Sequence, residues 1–240
     1  MPRVLFGQIE RRTLADEIRQ RIEEKILGGE LSPGDQIVEI AVAAQMQVGQ
    51  NTVREALQSL EHQSLVTKIP HVGTFVTKLS DKEVSEIYRV RVELEAIAAE
   101  LATKNLQGTT LARLEEACQK MASAAKARDW RNFVRADFEF HETIWESAGN
   151  RFLTKALLSV TKPLFAYLLI THSPSGPANI EEIASCHSEV LLKMKHQEPG
   201  VVYDATKGRL QQLWSFTLDE LTRSQAATSP GTSETEQSSL

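Results

Sequence analysis

The stretch Val48-Gly49-Gln50-Asn51-Thr52-Val53-Arg54-Glu55-Ala56-Leu57-Gln58-Ser59-Leu60-Glu61 constrains this chain more than any other. Val53, Ala56, Leu57 and Leu60 recur at helical spacing and form one apolar stripe, which leaves Asn51, Thr52, Arg54 and Gln58 on the other face. A short helix of this kind, preceded by another over residues 39–45 and a turn, is what reading a DNA major groove requires. The flanks extend the pattern to a winged helix-turn-helix. An amphipathic helix over residues 14–27 stops at Gly28-Gly29. Two β-rich runs, 65–69 and 74–78, bracket the turn Pro70-His71-Val72-Gly73 and predict a two-stranded wing. The plain alternative is a generic helical hairpin with a loop, since helix-turn-helix patterns also arise by chance.

Several short motifs carry a family resemblance as a set. Glu30-Leu31-x-Pro33-Gly34, Val53-Arg54-Glu55-Ala56-Leu57, Leu60-Glu61, Leu65-Val66 and Gly73-x-x-Val76 resemble the DNA-binding domain of GntR-type bacterial transcriptional regulators. In that family an Arg in the first helix of the motif and a Ser-Arg pair opening the recognition helix contact the operator. Those places fall here at Ile40 and at Gly49-Gln50, while Arg54 and the wing Gly73 are kept. The resemblance implies double-stranded operator DNA as partner. Contacts are expected from Gln50, Asn51, Thr52 and Arg54 on the helix and from His71 and Gly73 in the wing, with a departure from the family in the bases read.

With 240 residues, 41% of them hydrophobic and 25% charged, the chain is expected to form two modest soluble domains. A formal charge of -5 excludes a broad basic surface, so DNA affinity must come from a local patch. Arg3, Arg11, Arg12, Arg54 and Lys68 are candidates for it, and dimerisation would double it. No apolar run approaches the roughly 20 residues of a membrane span; the strongest covers residues 163–170. The N-terminus lacks the apolar stretch of a secretory signal. Cys118 and Cys186, isolated and without metal spacing, read as reduced core thiols. A cytoplasmic protein with no membrane partner is the expectation, and residues 224–240, rich in Ser, Thr, Gln and Glu, read as a disordered tail.

The fold class expected is mainly α: a winged helix-turn-helix with a small β-wing in residues 1–78, then an antiparallel helical bundle over 79–223. Ser80-Asp81-Lys82-Glu83 is a capping box opening a helix to about residue 105, with Val84, Ile87, Val90, Leu94, Ile97 and Leu101 as its apolar stripe. Further helices are predicted over 111–128, 130–147, 151–171 with Asn150 as N-cap, 180–196 and 201–221. Asp137 and His141 stand one helical turn apart, so both project from one face. Such a pair can share a divalent cation or form a simple hydrogen bond.

Arg91-x-x-x-Glu95, Asp137-x-x-Phe140-His141, Gly149-Asn150 and His187 followed by Val190-Leu191 resemble the all-helical FCD effector domain of the FadR-type subgroup of the same family. Many such domains hold a metal through the Asp, the His one turn later and two further His, with a small carboxylate effector at or beside it. Asp137, His141 and His187 fill three places, and the fourth falls at Arg209. A guanidinium stays protonated and cannot ligate a cation. Two arrangements are therefore open. In one, a divalent ion (Zn, Ni or Mn) is held by three ligands while Arg209 points away or clamps the effector's carboxylate. In the other, Arg209 pairs with Asp137 and no metal binds. Arg91 and Asn150 complete the effector candidates.

The expected protein is a homodimeric transcriptional regulator, not an enzyme, whose operator binding answers to an organic or sugar acid. Two alternatives stand beside it. One is a metal-dependent hydrolase or lyase using Asp137, His141 and His187, with Glu139 as base although it lies on the other side of the helix. The other is a constitutive DNA-binding module whose effector site has decayed.

Overall fold

The apolar stripe that opens the argument folds as its spacing predicts. In the computed structural model, which describes residues 13–171, 176–177, 179–196 and 198–228, Val53, Ala56, Leu57 and Leu60 are all buried. They belong to a winged helix built from α1 (Leu14–Leu27), β1 (Gln36–Ile37), α2 (Glu39–Met46), α3 (Gln50–His62), β2 (Val66–Ile69) and β3 (Gly73–Val76). Thr13 and Asp16 cap α1 reciprocally, each side chain accepting the other's backbone N–H. Ile18, Ile22 and Ile26 then recur one turn apart and bury with the α3 stripe and with Ile37, Leu65, Val66 and Val76 in one core.

The sheet is antiparallel in the order β1-β3-β2, with Gln36 opposite Phe75 and Val66 opposite Val76. The strand β1 was not anticipated, because two residues are too few to show an alternating pattern. Gly73 is fixed by geometry: its φ is +148°, and a Cβ there would meet Gln36 Nε2 at 2.6 Å. Gln36 in turn donates to the Val72 carbonyl across 3.3 Å, tying the wing turn to the first strand.

The second unit comprises α4 (Asp81–Thr103), α5 (Gly108–Ala127), α6 (Trp130–Ser147), the first half of α7 (Arg151–Thr171), α8 (Ile180–His196) and α9 (Pro199–Thr228). The Ser80–Glu83 box caps α4 as its sequence predicts. Helix α4 packs on α9 and α6, and α5 packs on α6 and α8. The interior is built from Leu114, Met121, Phe133, Phe140, Ile144, Trp145, Ile180 and Val202, each almost wholly buried. Cys118 and Cys186 are free thiols and buried.

Four expectations need correction. The α4 stripe is not all core: Val90 and Ile97 are 46% and 38% exposed, and the helix buries Tyr88, Arg91, Val92, Glu95, Ala96 and Ala99 instead. Small alanines let neighbouring helices come close, which moves the buried face away from the larger residues. The division near residue 79 does not hold for α7, whose residues 159–171 group with the winged helix; Ala166 is buried in that core and Ile170 packs against it. By length and composition α7 is the one helix among those described that could cross a membrane, where a shorter apolar run was expected. Its Leu157, Leu164, Phe165 and Tyr167 are buried within the protein. Helix α9 continues past residue 221 to Thr228, so residues 224–228 are helical rather than disordered. No helix breaker occurs there before Pro230. Arg3, Arg11, Arg12, His172, the Trp214 side chain and residues 229–240 lie outside the described parts.

Candidate DNA-reading surface and metal centre

On α3, Gln50, Asn51, Arg54 and Gln58 face solvent and Thr52 is half-buried. The sequence did not point to Glu39, which opens α2 and organises this face. Its Oε2 accepts from Arg54 Nη2 at 2.9 Å, from Arg54 Nε at 3.2 Å and from Gln50 Nε2 at 3.0 Å. The bond from Arg54 holds the Glu39 carboxyl below the usual range against the opposing effect of burial, so it is charged. Fifteen residues separate the pair, so nothing local in the sequence could have joined them. Ile40, standing where the family has an Arg, is 67% exposed. His71 is exposed at the wing turn, and Gly73 is half-buried with Gln36 against it.

The three expected ligands meet in the second unit. Asp137 Oδ1 lies 2.8 Å from His187 Nε2 and 3.3 Å from His141 Nε2, and the two Nε2 atoms are 3.3 Å apart. Ligand atoms each about 2.1 Å from one ion stand roughly 3.0 Å apart at a right angle and roughly 3.4 Å at a tetrahedral one. The triangle therefore fits one face of a coordination sphere, two imidazoles and a carboxylate. The other ring nitrogens settle the tautomers. His141 Nδ1 meets Glu95 Oε2 at 2.7 Å and His187 Nδ1 meets the Ile183 carbonyl at 2.8 Å. Both partners can only accept, so both Nδ1 atoms carry hydrogen, and once Nε2 is unprotonated its lone pair on each ring points inward. Asp137 Oδ1 is buried and faces the two Nε2 atoms. Three acceptors thus converge on one point, and this group can hold a metal ion.

Behind the ligands, Arg91 and Glu95 form a buried pair, Nε to Oε1 at 2.6 Å, and Arg91 Nη2 stands 3.2 Å from His141 Nε2. Neither was expected to be buried; an arginine on a helix usually reads as solvated. Burial pushes the Glu95 carboxyl up, but Arg91 and His141 outweigh it and hold it at about 2. Burial opposes ionisation of Asp137 too, yet His187 and His141 keep it well below the usual carboxylate range. With Arg91 positive and both carboxylates negative, the cluster is one positive charge short. In the metal-free pocket a proton on His141 supplies it: burial would lower that pKa, but Glu95 and Asp137 raise it to about 9.

Of the arrangements expected of Arg209, pairing with Asp137 is not the one found. It donates to Glu189 at 2.7 Å and to Gln212 at 2.8 Å, so it is not paired with Asp137. It does line a cavity of about 20 Å³ beside His141 and His187, together with Phe140, Trp145, Cys186 and Thr206. Such a volume holds about one water. Thr206 Oγ1 and Trp145 Nε1 are buried with no hydrogen-bond partner among the described residues. Asn150 is not at this site: its Oδ1 accepts the Phe152 and Leu153 N–H groups and caps α7. Glu139 is on the outer side, paired with Lys120, where a base for metal-bound water would be useless.

Residues 86–212 match the FCD domain family, and residues 14–76 match the family described as bacterial regulatory proteins, gntR family. Among curated relatives, a probable D-xylose utilization operon transcriptional repressor of Paenarthrobacter nicotinovorans is 28% identical, the match covering 80% of this chain and 83% of that one. The gluconate operon transcriptional repressor of Bacillus subtilis (strain 168) is 27% identical over 84% of this chain and 85% of its own. Among solved structures, Escherichia coli McbR/YncC shares the fold with a TM-score of 0.66 at 22% identity, covering 88% of this chain and all of that one.

Proposed function

Because the chain belongs to the gntR family of bacterial regulatory proteins and carries an FCD domain, it is a transcriptional regulator and not an enzyme, and we propose that it is a homodimeric metal-dependent sensor of a small carboxylic acid. The observation that carries this reading is the convergence of Asp137 Oδ1, His141 Nε2 and His187 Nε2, with Glu95 orienting His141 from behind. A divalent ion (Zn, Ni or Mn) held by these three keeps open positions for an anionic ligand. Arg209, on the rim of the adjoining cavity, is the group to clamp the ligand's carboxylate, with Arg91 behind His141 as a second cation. The relatives named for gluconate and D-xylose operons support a sugar or organic acid as effector.

The dimer in this reading uses α4. Ile87, Val90, Leu94, Ile97 and Leu101 follow the alternating three- and four-residue spacing of a helix–helix seam, and in the single chain Val90 and Ile97 stand exposed. A second copy packing there gives two recognition helices and hence a short inverted-repeat operator in the cytoplasm. Val90→Glu with Ile97→Glu should leave a monomer by light scattering.

Elemental analysis of protein purified without chelator, repeated on Arg209→His, tests the metal. A stoichiometric divalent ion in the parent supports the reading. None in the parent but one in the variant would show that Arg209 takes the ion's place. Thermal shifts with chelator and a panel of acids then test the sensor, since ligands that bind the folded state raise its melting temperature.

A further inference from the structure

A carboxylate on the DNA-facing side of a winged helix is costly, because it meets the phosphates' own negative charge. Glu39 is nevertheless there, charged, and bonded to two of the groups expected to read bases. We propose that Glu39 is a specificity-determining residue that positions Arg54 for a guanine and turns the Gln50 amide toward a base amino group.

The donor inventory of the arginine carries this. A guanidinium has five N–H groups. Glu39 takes the Nε–H and one Nη2–H, which are the side edge of the fork. Asn51 Oδ1 stands 3.5 Å from Nη1 on the far side. The end edge, with the remaining Nη1 and Nη2 hydrogens, is left for the groove, and two parallel N–H groups in that arrangement match guanine O6 and N7. Without Glu39 the long side chain would be free to reach phosphates, which gives affinity without sequence information. The same carboxylate takes a hydrogen from Gln50 Nε2, so the Gln50 oxygen points away from it as an acceptor suited to adenine N6 or cytosine N4. Lys68 on the wing strand and Arg54 border the same depression beside Glu39 and Glu61, so two cations face two carboxylates there.

Positioning and repulsion act in opposite directions, which makes the inference testable. Sites are selected from a randomised duplex library with the full-length protein. The best site, its single-base-pair variants and a random-sequence duplex are then titrated by fluorescence anisotropy against wild type, Glu39→Ala, Arg54→Ala and the double variant. Glu39→Ala should bind the random duplex as tightly as wild type or several-fold more tightly, while losing about tenfold of discrimination at one G·C pair. In the Arg54→Ala background Glu39→Ala should change discrimination at that pair by less than about twofold, because the effect runs through the arginine. Glu39→Gln, which keeps one acceptor, should fall between wild type and Glu39→Ala. Unchanged discrimination at every position would overturn the proposal, as would equal weakening on selected and random duplexes. A wild-type protein that selects no site would instead count against operator reading by this winged helix.

Discussion

His141 Nδ1 stands 2.7 Å from Glu95 Oε2, so a carboxylate on α4 sets the direction in which an imidazole on α6 offers its lone pair. The arrangement has the metal-binding logic of a carboxylate behind a histidine, and Arg91 keeps that carboxylate ionised inside the protein. Glu95→Gln should therefore lower metal affinity by about 10–100-fold, the range typical for losing such an outer partner. Operator binding by the metal-loaded variant should persist. Competition with a fluorescent chelator measures the first and anisotropy the second. Unchanged metal affinity would mean that Glu95 serves only to neutralise Arg91.

Metal uptake should release a proton. In the metal-free pocket His141 titrates at about 9 against an ordinary value of 6.5, and the proton occupies the Nε2 position that a metal needs. The sign follows from the raised value: protonation stabilises the metal-free protein fully below about pH 6.5, and that contribution fades as pH rises through 9. Metal-free protein should therefore lose melting temperature between those limits, and metal-loaded protein should not. Calorimetric titration of zinc at pH 7.5 in buffers of different ionisation enthalpy should show about one proton released. No release would mean that the ligands are already neutral, contrary to the raised value.

Gly73→Ala should strain the wing whatever room is made for it. The backbone sits at φ +148°, and Gln36 Nε2 would lie 2.6 Å from the new Cβ. Holding a non-glycine residue in such a region costs on the order of 1–3 kcal/mol. Urea titration should show that loss, and DNA affinity should fall while effector and metal binding stay as they were. A variant as stable as the parent would show that the wing relaxes at no cost.

Much of the fold could be read from the chain because it rests on local periodicity. The boundaries of α1, α6, α7 and α8 fall where their caps and apolar spacing place them. The candidate metal ligands were also legible, since Asp137 and His141 are neighbours on one helix and His187 matched a place in the family pattern. What escaped was set by tertiary packing. Glu39 meets Arg54 only once α2 and α3 fold together. The exposure of Val90 and Ile97 could not be read, because an apolar stripe has the same spacing whether it faces the core or lies open. Arg91 looked like a surface residue because burial of a charge depends on a partner, here Glu95 together with His141.

Thr206→Val separates stability from sensing. Thr206 is buried beside the candidate centre and its hydroxyl has no partner among the described residues. An unpartnered buried hydroxyl costs about 1–3 kcal/mol, and an apolar group of the same shape removes that cost. The effector-free variant should therefore melt higher than the parent, by about 2–4 °C for each 1 kcal/mol recovered in a chain of this size. A compact acid whose oxygen takes the Thr206 hydrogen relieves the same cost in the parent, so its stabilising shift should shrink in the variant. The opposing signs exclude a general loosening of the fold, which would lower both. Acid panels read by thermal shift at fixed metal load decide it: an effector whose shift is equal in parent and variant does not use Thr206, and the receiving group must then be sought at Trp145 Nε1 or Arg209.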